Sequence, residues 1–280
     1  MYRTVTTLRT LLLTPGPLTT TDATRAALGR DRGSRDPAFI ALTARLRQRL
    51  RALVHGAATH ETVLIAGSGT FAVEAAVGTL VPRDGRLLVL ANGAYGQRIA
   101  AIARQIGRDV VLETWPETEP VDAGWAAAVL RVDPAITDVA LVHCETTTGL
   151  LNPLDAVAAA VAGQGRRLLI DAMSSYGALP IDLREIPASA VMASSNKCLE
   201  GVPGIGMVIA DRRHLATCAG RRTASGSICM PSGPASRRTA SGASPRRCRR
   251  RRRWMRPSIS SMPRADRRHA WHATDATTRC

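Results

Sequence analysis

Lysine is nearly missing from this chain: of 38 Lys and Arg residues in a total of 280, Lys197 alone is a lysine. Arginine serves wherever a surface cation is needed, as a GC-rich codon supply favours, so a single retained lysine points to a chemical task. Arginine stays protonated in any protein environment. A lysine amine can lose its proton when desolvated or set near another cation, and can then attack a carbonyl to form a Schiff base. On the count alone, the plainer reading of an ordinary helix cation stays open. Aromatic residues are scarce at 3%, leaving no aromatic-interleaved surface on which nucleic-acid bases would stack. The six cysteines (Cys144, Cys198, Cys218, Cys229, Cys248 and Cys280) show no CxxC, no paired spacing and no grouping with histidine. That excludes a disulfide scaffold and a cysteine–histidine metal site, and predicts free thiols in a reducing compartment. No apolar run approaches the roughly 18 residues of a membrane span. The three leucines before Pro15-Gly16-Pro17 are too few for the apolar core of a signal peptide. A soluble, cytoplasmic protein without a membrane partner is the expectation.

Charge divides the chain. The net charge is +16, but residues 221–280 hold 16 Arg against Asp266 and Asp275 alone, so the first 220 residues are close to neutral. In that tail RRTASG occurs at 221–226 and again at 237–242, Arg249 to Arg253 are consecutive, and hydrophobic periodicity disappears. Such a segment buries too little apolar surface to offset the entropy of ordering, which makes disorder its default. Arginine runs also neutralise phosphates, yet no RNA-binding signature accompanies them, so nucleic acid is not an expected partner. A third reading is that the tail is GC-rich coding sequence translated out of frame. The expected organisation is one large α/β domain over residues 1–220 with an Arg-rich appendage over 221–280.

From Thr62 to Asp211, short β-rich apolar runs alternate with Ala-rich segments of helical period. VLIAG, RLLVLAN, DVVLETW, DVALVHCE, RRLLIDAM, AVMASS and GMVIAD read as strands. FAVEAAVGTLV, GQRIAAIARQIG, AGWAAAVLRV and PLDAVAAAVAGQG read as helices. This alternation predicts an α/β fold with a mainly parallel, doubly wound sheet.

The surroundings of Lys197 favour chemistry. In AVMASSNKCLEGVPGIGMVIAD the lysine follows a β-rich run in a polar, Gly-rich turn, at the strand end where open α/β sheets bind ligands. Asp171 ends the strand RRLLID one strand-turn-strand unit earlier. Opposite a pyridinium nitrogen, as in pyridoxal phosphate chemistry, a carboxylate keeps that nitrogen protonated; alone, Asp at a strand end is as well a turn cap. VLIAGSGTFAVEAAV runs from strand to helix through Ser68, Gly69 and Thr70, whose amides and hydroxyls suit a phosphate dianion. It lacks the GK[ST] ending of a P-loop and the GxGxxG spacing, which disfavours nucleotide binding. Tyr95 in ANGAYGQR offers a ring to stack on a planar group. HCETTTGLLNP places Thr146, Thr147 and Thr148 just after a strand, as hydroxyls for a ring oxygen or as plain caps.

These five segments, in this order, resemble the class V (fold type I) pyridoxal phosphate-dependent aminotransferases from about Leu12 to Asp211. LLTPGP, GSGTFAVEA, NGAYGQR, HCETTTGLLNP, IDAMSSYGALPID and ASSNKCLEGVPG are most similar to its 2-aminoethylphosphonate:pyruvate transaminase group. The resemblance implies pyridoxal 5′-phosphate as cofactor. Lys197 would link to it covalently and, once released, move the proton between the substrate α-carbon and the cofactor C4′. Asp171 would hold the pyridine nitrogen, and Ser68, Gly69, Thr70 and Asn196 the phosphate. Tyr95 would stack on the ring, and Thr146, or less favourably Thr147, would meet the ring hydroxyl. The implied exchange passes an amine from 2-aminoethylphosphonate to pyruvate, giving phosphonoacetaldehyde and L-alanine, in a homodimer with no metal. Other class V donors such as alanine or serine are the alternative substrates; an inactive remnant is the alternative state. The family continues into a small domain that supplies an arginine for the substrate acid group, and nothing after Gly220 matches it. Arg35, in RDRGSRDPAF, is a loose match to a substrate-anion contact.

Overall fold

The computed structural model describes residues 11–218. The seven expected strands all form, as β1 (His60–Ala66), β2 (Arg86–Ala91), β3 (Asp109–Thr114), β4 (Ile136–Val142), β5 (Arg167–Asp171), β6 (Ala190–Ser194) and β7 (Ile205–Asp211). They make one sheet of order β1-β7-β6-β5-β4-β2-β3. Within it β2 pairs in parallel with β3 and β4, β4 with β5, and β5 with β6, whereas β7 runs antiparallel to both β1 and β6. The reversal has a local cause. Only the turn carrying Lys197 separates β6 from β7, too short for the crossover that a parallel return requires.

The four expected helices form as α3 (Gly69–Leu80), α4 (Ala94–Gln105), α5 (Ala123–Val132) and α6 (Leu154–Gly163). Alternation within the strands sorts two cores. Leu87 and Val89 of β2 face α3 and α4, while Leu88 and Leu90 face α5 and α6. Both sheet faces are thus covered, which is why the central strands read as continuous apolar runs and not as alternating ones.

Three further helices carry no expectation from the pattern: α1 (Asp22–Leu28), α2 (Pro37–Leu53) and α7 (Arg212–Thr217). In α2 only Leu50 is buried, so Arg and exposed Leu blur its apolar stripe. Its start is nonetheless encoded, by Asp36 capping the Ala38 amide and Pro37 at the first helical position. Far from the strand ends that carry Lys197, buried Asp138 of β4 receives two hydrogen bonds at 2.8 Å from Arg167 of β5. On the same side Arg86 bridges Asp109 and Asp133 at 2.6 Å. The domain boundary near residue 220 and the Arg-rich tail lie outside the described residues.

Candidate active site

Seven of the residues singled out in the sequence line one cavity of about 160 Å³: Ser68, Gly69, Thr70, Tyr95, Asp171, Asn196 and Lys197. Topology explains the convergence. Ser68 follows β1, Tyr95 follows β2, Asp171 ends β5, and Asn196 and Lys197 follow β6, so each sits at the carboxyl end of a strand that runs the same way.

The cavity floor begins at α3. Ser68 is its N-cap residue but makes no side-chain cap bond. Among the described residues the amides of Gly69 and Thr70 and the hydroxyls of Ser68 and Thr70 have no hydrogen-bond partner. Unpaired donors at the positive end of a twelve-residue helix suit a bound anion. Gly206 lets this end come close, since a Cβ there would lie 2.8 Å from the Ser68 carbonyl oxygen. The opposite end of α3 is held by Arg108. Its buried guanidinium donates to the Val81 carbonyl at 3.1 Å and to Gly78 at 2.8 Å, both at the negative end of the helix.

Asp171 is 3% exposed, and burial pushes its carboxyl up to about 6. The Met173 amide, donating to Oδ1 at 3.0 Å, works against that shift, as do the charges of Lys197 and Arg98, whereas Glu145 adds to it. Oδ2 accepts no hydrogen bond among the described residues. A buried carboxylate with a free oxygen facing a cavity is arranged to receive a cationic N–H. Lys197 rides on a turn pinned at its base, where the Gly201 amide donates to the Ser195 carbonyl at 2.7 Å and the Ser195 amide to Ile205 at 3.0 Å.

Three functional features escaped sequence reasoning. Arg98 lines the same cavity, its guanidinium carbon 4.7 Å from the centroid of the Tyr95 ring. The signal was its position one helical turn after Tyr95. Glu145 is fully buried and accepts the Tyr95 amide at 3.3 Å on Oε2, and the Thr147 amide and hydroxyl at 3.3 and 3.1 Å on Oε1. It therefore ties the loop after β4 to the start of α4, and Gly93 makes room for it, since a Cβ there would lie 2.5 Å from Glu145 Cγ. Buried Asn92 and Asn152 exchange two side-chain hydrogen bonds of 3.0 Å and clamp the same two loops.

Two nominated residues stand apart. Thr146 does not line the cavity, and its hydroxyl is hydrogen-bonded to Ser174 at 2.6 Å. Arg35 is exposed in the turn before α2. Among the described residues no group of three or more His, Cys, Asp or Glu side chains comes together to hold a metal ion, and no helix is long and apolar enough to cross a membrane.

An anion cradle, a buried carboxylate, an aromatic face and one primary amine around a single cavity form a donor set for a planar, anionic cofactor. The class-V aminotransferase profile matches residues 22–232. The chain belongs to this family. The class-V chain is 59% identical over 210 residues to 2-aminoethylphosphonate–pyruvate transaminase 2 of Burkholderia lata, covering 75% of this chain and 56% of that one. To 2-aminoethylphosphonate–pyruvate transaminase of Pseudomonas fluorescens it is 56% identical, covering 75% and 57%. Its fold is similar to crystalline pyridoxamine–pyruvate aminotransferase from Mesorhizobium loti, with a TM-score of 0.73, 28% identity, and coverage of 79% and 57%. The class-V chain spans about half the length of the curated relatives it matches.

Proposed function

We propose that this chain carries the pyridoxal 5′-phosphate site of a class-V aminotransferase that moves an amino group from 2-aminoethylphosphonate to pyruvate. The observation that carries the cofactor is the shared cavity of Lys197, Asp171 and the unpaired N-terminus of α3. The substrate pair rests on the identity to relatives that bear that name.

The residues fit the cofactor. Ser68, Gly69 and Thr70 hold its phosphate through helix-end donors, with Asn196 beside them. Tyr95 stacks on its ring, and Asp171, whose free oxygen faces the cavity, keeps the ring nitrogen protonated. When bound, the cofactor supplies an electron-withdrawing ring that stabilises negative charge developing at the substrate α-carbon. Lys197 supplies the primary amine that anchors it and, when released, the base that takes a proton from that carbon and returns it. Asp171 holds its own proton more readily than an exposed carboxyl, so a cationic partner also relieves the cost of its burial. Thr146, through the Ser174 hydroxyl, shapes the loop beside the ring, and Arg35 is the candidate contact for the substrate anion. The working assembly is a cytoplasmic homodimer. The cofactor domain falls within residues 1–220.

Half-reaction spectra test the substrate. Protein loaded with the cofactor is mixed separately with 2-aminoethylphosphonate, L-alanine and L-serine. Loss of the visible absorption band with the phosphonate supports the assignment. Loss with alanine and serine but not with the phosphonate points instead to another class-V donor.

A further inference from the structure

We propose that Gly16 is a positioning residue for Lys197: the backbone of residues 14–17 lies as a strap on the lysine side chain, and only glycine fits at the contact. A Cβ on Gly16 would lie 2.4 Å from Lys197 Cδ, 2.9 Å from the Asn196 carbonyl oxygen and 3.2 Å from Lys197 Cε. Separations under 3.0 Å do not survive between such atoms, so one side must move. Asn196 is backbone in the turn pinned by the Gly201-to-Ser195 and Ser195-to-Ile205 hydrogen bonds, which leaves the lysine methylenes to be displaced. Gly16 also has φ +146°, a conformation that L side chains rarely adopt.

The strap is shaped to present that atom-free point. The Thr14 hydroxyl donates to the Pro17 carbonyl at 2.8 Å, and the Leu12 amide donates to the Thr19 hydroxyl at 2.6 Å. Gly16 is half-buried between exposed Pro15 and exposed Pro17, so the strap meets the body of the protein there. Contact along Cδ and Cε removes rotamers from a flexible side chain that lines the cavity and aims its amine inward. Orientation of a reacting amine is worth more than its presence alone. The functional consequence rests on Lys197 being the cofactor-anchoring residue of the proposed function; the steric contact does not.

The single lysine makes the test clean. Full-length, cofactor-free protein is treated with a limiting N-hydroxysuccinimide ester, and modification of Lys197 is read by peptide mass spectrometry against the chain's own α-amine. In parallel, pyridoxal 5′-phosphate is titrated and its visible band recorded. Gly16→Ala is expected to raise Lys197 labelling severalfold and to weaken cofactor binding about tenfold through overpacking. Thr14→Val, which loosens the strap without placing an atom on the lysine, moves both readouts the same way by less, and it carries the test if Gly16→Ala does not fold. Exposed Leu13→Ala leaves both unchanged. Wild-type labelling in Gly16→Ala and Thr14→Val, or an equal change in Leu13→Ala, overturns the proposal. A labelling change in a protein whose wild type binds no cofactor upholds the strap and refutes the cofactor.

Discussion

Burial makes the charged form of Asp171 costly. Burial raises its carboxyl from the usual 3.8 to about 6, so the folded protein binds that proton more tightly than the unfolded chain does. Stability therefore falls as pH rises between those values. The cost is fully present above about pH 6 and gone near pH 4. Asp171→Asn is expected to stabilise the cofactor-free protein by about 2–3 kcal/mol at pH 7.5, with melting curves of the two proteins converging as the pH falls to 4. In the proposed function the same substitution removes the partner of the ring nitrogen, and cofactor binding at pH 7.5 is expected to weaken. A destabilised cofactor-free Asn variant contradicts this account of Asp171. That Lys197, Asp171 and the Ser68–Thr70 turn gather at one cavity was legible because each departs from its surroundings in type: the sole lysine, a carboxylate closing an apolar strand, glycine and hydroxyls at a strand-to-helix turn. Gly16, Glu145 and Arg98 were not, since what matters about them is which distant atoms they approach.

Elements place those residues, and two elements do so in ways that can be measured. α3 is held between an open N-terminus at the cavity and the buried Arg108 guanidinium at its other end. Arg108→Ala is expected to cost about 2–3 kcal/mol in a denaturant titration, as the charge-assisted hydrogen bonds to the last turn of α3 are lost. A change below about 0.5 kcal/mol would assign the anchoring of α3 elsewhere. Glu145 joins the start of α4 to the loop after β4 with both carboxylate oxygens accepting. In Glu145→Gln one acceptor becomes a donor facing an N–H, and a loss of about 1–3 kcal/mol is expected from melting. Strand positions were readable because runs such as RLLVLA and RLLID end on Gly, Asn or Asp turns. The antiparallel course of β7 was not readable, because strand residues look alike in either direction and only the short connection decides. α2 was hidden by arginines on its exposed face, although Asp36-Pro37 announced its start.

At the scale of the whole molecule, all the cavity residues lie between Ser68 and Lys197, within the described α/β unit. Because the lining residues named all precede residue 220, removing residues 221–280 is expected to leave cofactor affinity within about twofold; a loss beyond tenfold would make those residues part of the site. Sequence patterning conveyed the sheet, its covering helices and the cavity together because one physical rule generates all three. Parallel strands buried on both faces must be apolar, and their carboxyl ends, opening into loops, are where polar chemistry can gather.

An absorption titration reads the proposed role of Lys197 at the cofactor itself. Pyridoxal 5′-phosphate is added to the full-length protein and, separately, to Lys197→Ala. A saturable visible band is expected in the wild type and none in the variant. A band of equal strength in both proteins, or none in soluble, folded wild type, would rule out Lys197 as the cofactor anchor.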